Sequence, residues 1–118
     1  MARKDLEHQE QARLIERIRF ELTDDFPELK CPTFEDDGMM RIYSVPNGAF
    51  LGTAWEGAKL KNEGLSRGVP DLQLPMARGG FFGLYIEMKI SGGRISTDQT
   101  SWIQFLKDQG YLVHVCWS

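Results

Sequence analysis

The most strand-like segment of the sequence is Leu84-Tyr85-Ile86-Glu87-Met88-Lys89-Ile90, within a mostly apolar run over residues 82–90. Such a run predicts a strand covered on both faces, in the middle of a sheet. Glu87 and Lys89 interrupt it two positions apart, so their side chains point to the same side of the strand. A buried carboxylate destabilises the fold unless something pairs with it, and same-strand neighbours make only a modest ion pair. The position of Glu87 in this apolar strand therefore favours a functional role over a structural one.

A second acid, Asp71, precedes Glu87 by sixteen residues and ends the segment Gly68-Val69-Pro70-Asp71. Taken alone, an aspartate beside a proline is most often a turn residue. Taken with Glu87 and Lys89, it favours a metal site, because two carboxylates can hold a divalent cation while an ammonium group positions water or offsets negative charge. These oxygen ligands, without a His or Cys cluster, favour Mg²⁺ or Mn²⁺ over zinc. The three residues predict metal-assisted phosphodiester hydrolysis.

Glu10 is a candidate third acid. It precedes Leu14 by four residues and Ile18 by eight, so it continues the apolar stripe of a helix predicted over residues 6–22. An acid on that inward face can reach the ends of sheet strands. The alternative is a partly exposed acid that the helix dipole favours in the first turn. Glu7, one turn earlier, is the rival candidate.

Further polar candidates surround the predicted strand. Gln99 opens the next helix, where its amide can orient a water, a metal ligand or a phosphate. Five basic residues fall in loops or at helix ends and are candidates for phosphate contacts, although solvated surface charge explains them equally well: Lys59, Lys61, Arg67, Arg78 and Arg94.

Periodicity and turn signals divide the whole chain into seven elements. We expect helices over residues 6–22, 53–63 and 98–109, the last with Thr97 as its N-cap and Trp102, Ile103, Phe105 and Leu106 inward. We expect strands over residues 40–45, 71–74, 82–90 and 111–117, the last of the buried type, with a turn at Pro46-Asn47-Gly48. The order α-β-α-β-β-α-β predicts one α/β domain over residues 1–118, with a mixed sheet between helices.

Composition and charge limit the classes of function. Residues 1–118 suffice for one hydrophobic core, and the formal net charge of −3 excludes a nonspecific polycation. Cys31 and Cys116 fit no zinc spacing. The N-terminus leads into no apolar signal segment, and no apolar run is long enough to span a bilayer. The sequence therefore predicts a cytoplasmic protein without a membrane partner.

Several linked motifs together resemble a VRR-NUC domain, the virus-type replication-repair nuclease branch of the PD-(D/E)XK superfamily. Pro-Asp followed by Ile-Glu-Met-Lys and a later glutamine is the specific part of the resemblance. It covers nearly the whole chain, on these segments: Asn47-Gly48, Lys61-Asn62-Glu63-Gly64, Arg67-Gly68-Val69-Pro70-Asp71, Gly83-Leu84-Tyr85-Ile86-Glu87-Met88-Lys89, Gln99-Thr100-Ser101-Trp102 and Gly110-Tyr111.

The resemblance implies a restriction-endonuclease-like fold and a Mg²⁺- or Mn²⁺-dependent DNA endonuclease. Asp71 and Glu87 would be metal ligands, with the Met88 carbonyl as a further ligand and Lys89 as the catalytic lysine. Gln99 would support the site, and Glu10 would be the acid of the first helix. Stand-alone members occur in phages and bacteria, which implies a bacterial or phage-infected host cell; the domain also ends the Fanconi-associated nuclease.

The resemblance also implies a homodimer that acts on branched DNA such as four-way (Holliday) junctions. In the family a further helix usually follows the last strand, and this sequence stops at Ser118. A shortened chain, a naturally minimal form and altered dimer packing are the alternatives. Two functional alternatives are a catalytically silent DNA-binding module and a hydrolase of some other phosphoester; the intact Asp71, Glu87 and Lys89 favour an active nuclease over the first.

Overall fold

The computed structural model describes residues 3–31, 40–46 and 54–118. In these ranges lie helices α1 (Arg3–Arg17), α2 (Ala54–Asn62) and α3 (Thr97–Asp108), and strands β1 (Tyr43–Ser44), β2 (Leu72–Leu74), β3 (Leu84–Lys89) and β4 (Leu112–Trp117). A π-helical turn (Ile18–Leu22) continues α1, and a short 3₁₀ turn covers Pro27–Leu29. The predicted order α-β-α-β-β-α-β is confirmed.

The four strands form one mixed sheet in the order β1-β2-β3-β4. β1 pairs with β2 and β2 with β3 in antiparallel fashion, whereas β3 and β4 are parallel. A parallel pair needs a crossover connection, which α3 provides here. The long apolar strand β3 is interior, as its composition predicted.

Alternation along β3 gives the sheet two faces of different character. Even-numbered residues of β3 join the hydrophobic core, to which the π-helical turn after α1 contributes Ile18. The buried members of this core are Ile18, Leu29, Ile42, Leu72, Ile86 and Met88. Odd-numbered residues point to the opposite side, where α3 lies; we call this the α3 face, and it carries Tyr85, Glu87 and Lys89. The sheet is thus enclosed between α1 and α3, and the charged residues of β3 all share one side.

Some predicted boundaries and burial patterns were wrong. The strand predicted over residues 40–45 is reduced to Tyr43–Ser44. The last strand was predicted to be buried, yet half of it is exposed, including Leu112 and Trp117, because β4 is an edge strand of the described sheet. Phe105 was expected to point inward and is 53% exposed, since α3 turns its neighbour Leu106 toward the sheet instead.

Other expectations concern residues outside the site. Asn47 and Gly48, which define a predicted turn and part of the family resemblance, lie outside the described residues. Cys31 and Cys116 are free thiols. In the part of the chain that the structure describes, no helix has the length and apolar character needed to cross a membrane.

Candidate metal centre

The register of β2 and β3 places Asp71 opposite Glu87. Leu72 pairs with Ile86, and the β1–β2 ladder continues one residue further because the Val45 amide donates to the Asp71 carbonyl over 2.8 Å. Extending the register by one residue therefore puts Asp71 directly across from Glu87. Directly opposed side chains of an antiparallel pair share one face of the sheet. Both carboxylates consequently lie on the α3 face.

Asp71 is also tied to the backbone of β3. Its Oδ2 atom accepts a hydrogen bond of 2.8 Å from the Met88 amide. This contact fixes the carboxylate against the strand that carries Glu87. The acid at the start of β2 is thus held by main-chain geometry rather than by a flexible side-chain pair.

The backbone of Met88 faces β2, and the residue opposite it cannot donate. Leu112 and Ser118 of the β4 segment donate to the carbonyls of Gly83 and Lys89, so odd-numbered residues of β3 direct their main-chain groups toward β4. Even-numbered residues then face β2, and the extended register places Pro70 across from Met88. Proline has no N–H group. Position 70 therefore supplies no ladder hydrogen bond to the Met88 carbonyl.

Gln99 reaches Glu87 from the first turn of α3. Its Nε2 atom donates to Glu87 Oε1, and its Oε1 atom accepts 2.8 Å from the Ser96 amide. Ser96 Oγ in turn accepts a hydrogen bond of 3.1 Å from the main-chain N–H of Gln99, which completes a reciprocal capping box. The predicted N-cap, Thr97, was wrong by one residue. The side chain of Gln99 therefore both caps α3 and contacts Glu87.

Gly68 brings the Asp71 loop directly onto the start of α3. Its φ of +91° is a left-handed conformation that favours glycine, and a Cβ built there would lie 2.6 Å from the Asp98 carbonyl carbon. Only a residue without a side chain allows this approach. The contact joins the loop three residues before Asp71 to the residue before Gln99.

Burial dominates the electrostatics of Glu87. The residue is 1% exposed, and its pKa is raised to about 9, first by burial and then by a shared hydrogen bond with Asp71 and by the charge of Asp71. The ammonium group of Lys89 opposes this rise. Without a cation, the pair therefore retains a proton at neutral pH.

One oxygen of this pair points to a missing partner. Glu87 Oε2 is buried, and no N–H or O–H group of the described residues donates to it. A buried acceptor without a donor is rare and destabilising unless an ion or water satisfies it. Asp71, Glu87 Oε2 and the Met88 carbonyl together supply the oxygen ligands that Mg²⁺ and Mn²⁺ prefer. The residues present fit a divalent cation.

Glu10 is not brought to this pair. Among the described residues, no three His, Cys, Asp or Glu side chains converge as a metal site. Glu10 instead forms an ion pair of 2.6 Å with Arg13, and its helix covers the opposite face of the sheet. Its rival Glu7 lies on the same helix. The predicted third acid thus has a local partner, and its role in catalysis stays a prediction.

Lys89 ends β3 on the α3 face and is 7% exposed. It lies two residues after Glu87, as the sequence predicted, and its positive charge lowers the pKa of the Glu87 carboxyl. The structure therefore brings four of the predicted site residues together: Asp71, Glu87, Lys89 and Gln99.

The five predicted basic residues are all exposed but do not form one surface. Arg67 lies four residues before Asp71, in the loop that packs against the start of α3. Arg94 lies in the loop from β3 to α3, so both residues are at the site end of the sheet. Lys59 and Lys61 belong to the last turn of α2. Arg78 follows β2, at the end of the sheet opposite Asp71 and Lys89, and lies 3.8 Å from Glu28.

Three residues at the site were not predicted to have a functional role. Ser96 caps α3, Gly68 allows the close approach of its loop to α3, and Pro70 lacks an N–H group. The pattern Ser96-x-x-Gln99 is a capping-box signature and provided a usable signal. Gly68 and Pro70 gave no signal beyond their membership of a turn-like segment and of a family motif, because their contacts depend on the register and on the packing of α3.

The chain was compared with known families and structures. A family model described as VRR-NUC domain matches residues 6–118. The chain belongs to the VRR-NUC family. A solved structure titled "VRR_NUC domain protein" has the same fold, with a TM-score of 0.67 and 24% sequence identity over 95% of this chain and 77% of that one. No curated protein matches. Membership of the VRR-NUC family gives the chain a nuclease-type fold, and divalent metal use is general among these nuclease domains.

Proposed function

We propose that this VRR-NUC domain is a Mg²⁺- or Mn²⁺-dependent DNA endonuclease. The observation that carries the proposal is the carboxylate pair, in which Asp71 lies opposite Glu87 and no N–H or O–H group of the described residues donates to the buried Glu87 Oε2. A buried acid with a strongly raised pKa, placed beside a second acid, is typical of a functional site rather than of a structural ion pair. Family membership makes DNA the expected substrate.

Each residue has a distinct role in the proposed site. Asp71, Glu87 and the Met88 carbonyl would hold the cation. When bound, that cation polarises the scissile phosphate and lowers the pKa of a water molecule. Gln99 keeps Glu87 oriented through its donated hydrogen bond. Lys89, next to the pair, positions the attacking water or offsets the negative charge that develops on the phosphate.

The substrate proposal is narrower: branched DNA, with four-way junctions preferred over linear duplex, cut by a homodimer. A net charge of −3 gives one copy of the chain little long-range attraction for DNA. Two copies related by a twofold axis would present two active sites at a fixed separation. A four-way junction has a matching approximate twofold symmetry.

A cleavage panel tests the activity and the substrate together. Linear, flapped and four-way DNA are incubated with Mg²⁺, Mn²⁺ or EDTA, using the wild type and the Asp71→Asn variant, which keeps an oxygen acceptor for the Met88 amide. We expect cleavage only with a divalent ion, fastest on the junction, and none with Asp71→Asn. Junction binding without cleavage in either metal would indicate a catalytically silent DNA-binding module. Equal rates on linear duplex and junction would indicate a general nuclease.

The DNA surface would include Arg67 and Arg94, which flank the site from two loops. Arg67→Ala and Arg94→Ala should each weaken DNA binding and reduce its salt dependence by about one counterion. Arg78→Ala is the matched control, since Arg78 lies at the other end of the sheet. Titrations of labelled junction at several salt concentrations measure this. An equal loss of DNA affinity in Arg78→Ala would show that the DNA-binding surface is not confined to the site end of the sheet.

A further inference from the structure

The amide of Gln99 must be held one way round to serve the carboxylate pair. Its two ends have opposite hydrogen-bonding character: Nε2 donates and Oε1 accepts. Nε2 faces Glu87 Oε1 in the structure, and the reverse orientation would bring two acceptor oxygens together. A further contact at the Oε1 end can select the same orientation independently of Glu87.

Ser96 makes that selection. Its main-chain N–H donates to Gln99 Oε1 over 2.8 Å, so only the Nε2 end remains for Glu87. Its Oγ atom accepts from the Gln99 main-chain N–H over 3.1 Å, which holds the residue from the other side. The two bonds together fix the main chain and the side chain of Gln99 to one residue.

We infer that Ser96 is a positioning residue of the proposed nuclease and acts through Gln99 on Glu87. The chain of contacts runs from Ser96 to Gln99 and from Gln99 Nε2 to Glu87 Oε1. It leaves Oε2 as the oxygen to which no N–H or O–H group of the described residues donates. Ser96 is itself exposed and needs no contact with metal or DNA. The inference rests on the proposed function, because it assigns Oε2 to the cation.

Three variants separate positioning from helix capping. Ser96→Ala keeps the main-chain N–H but removes the Oγ acceptor that holds Gln99 against it, and Ser96→Thr restores that acceptor. Gln99→Glu keeps an acceptor for the Ser96 amide, as in the usual capping box, but removes the donor to Glu87. Thr23→Ala is the stability control: Thr23 is a buried hydroxyl that donates to the Arg19 carbonyl, on the helical segment that covers the other face of the sheet.

The first readout is Mn²⁺ binding by calorimetry without DNA, well below the melting temperature. We expect Ser96→Ala and Gln99→Glu to weaken binding by about 10- to 100-fold, the range usual for residues that orient metal ligands, with Ser96→Thr and Thr23→Ala close to wild type. Wild-type affinity in Ser96→Ala, despite a lower melting temperature, would overturn the inference and leave Ser96 as a helix cap alone.

The second readout needs neither metal nor activity. In ¹⁵N-labelled metal-free protein, the side-chain amide protons of Gln99 should exchange slowly with solvent in the wild type and in Ser96→Thr. They should exchange much faster in Ser96→Ala. Equal exchange in Ser96→Ala and wild type would overturn the positioning link. A wild type that shows this protection but does not bind Mn²⁺ would contradict the proposed metal site and, with it, the assignment of Oε2.

Discussion

Glu87 is a carboxyl group that is almost completely removed from solvent and shares a hydrogen bond with a second acid. Its raised pKa means that the folded, metal-free protein binds a proton more tightly than the unfolded chain does. The stability that comes from this protonated carboxyl is therefore complete below the ordinary pKa of 4.5 and is lost as the pH rises toward about 9.

In EDTA, we accordingly expect the melting temperature to fall between pH 5.5 and pH 8.5, and Glu87→Gln to flatten that fall. Glu21→Gln, an exposed acid paired with Arg17, is the control and should follow the wild type. Excess Mn²⁺ should restore stability at the higher pH, because it binds the folded state. Parallel curves for wild type and Glu87→Gln in EDTA would contradict the assigned proton.

Lys89 should matter for turnover more than for binding. Lys89→Met keeps the length of the side chain and removes the charge, so metal and DNA binding should persist while the cleavage rate falls about 100-fold or more. Loss of Lys89 also removes a charge that lowers the pKa of Glu87, so the rates are compared at pH 8.5 with saturating Mn²⁺. The control is Lys107→Met, at the far end of α3. Cleavage within a few-fold of wild type would make Lys89 a structural partner of Glu87.

The elements that hold the site differ in how far the sequence predicts them. Periodicity, turn residues and composition were enough for α3 and for the interior position of β3. Asp71 and Glu87 were predicted to share a metal site, but their direct opposition across β2 and β3 was not predictable, because sixteen residues of separation say nothing about which strand positions lie opposite one another. That information resides in the register, which tertiary packing sets. The same holds for the close approach of Gly68 to α3.

At the start of β2, Pro70 should keep the Met88 carbonyl free of a ladder hydrogen bond. Pro70→Ala introduces an N–H group opposite that carbonyl, so we expect weaker Mn²⁺ binding, measured by calorimetric titration. Pro75→Ala, at an exposed proline just past the other end of β2, is the matched control and should bind as wild type. Unchanged affinity in Pro70→Ala would argue against the Met88 carbonyl as a ligand.

The net charge of the molecule is negative, as is that of its proposed substrate, DNA. A second copy would offset the weak attraction by placing two DNA-binding surfaces side by side. We expect a homodimer by light scattering at micromolar concentration, and junction affinity that falls steeply as salt rises. A monomer at all concentrations tested would contradict the assembly on which paired junction cuts depend. It would leave the single-site nuclease unaffected.

The proposed activity depends on a divalent cation held by Asp71 and Glu87. Calorimetric titration of Mn²⁺ into wild type, Asp71→Asn, Glu87→Gln and the double variant tests it most directly, since it needs neither DNA nor turnover. Circular dichroism confirms that each variant is folded. We predict saturable binding by the wild type, with proton release below pH 9 as Glu87 ionises, and none by the double variant. Binding of Mn²⁺ by the double variant with wild-type affinity would show that Asp71 and Glu87 are not its ligands.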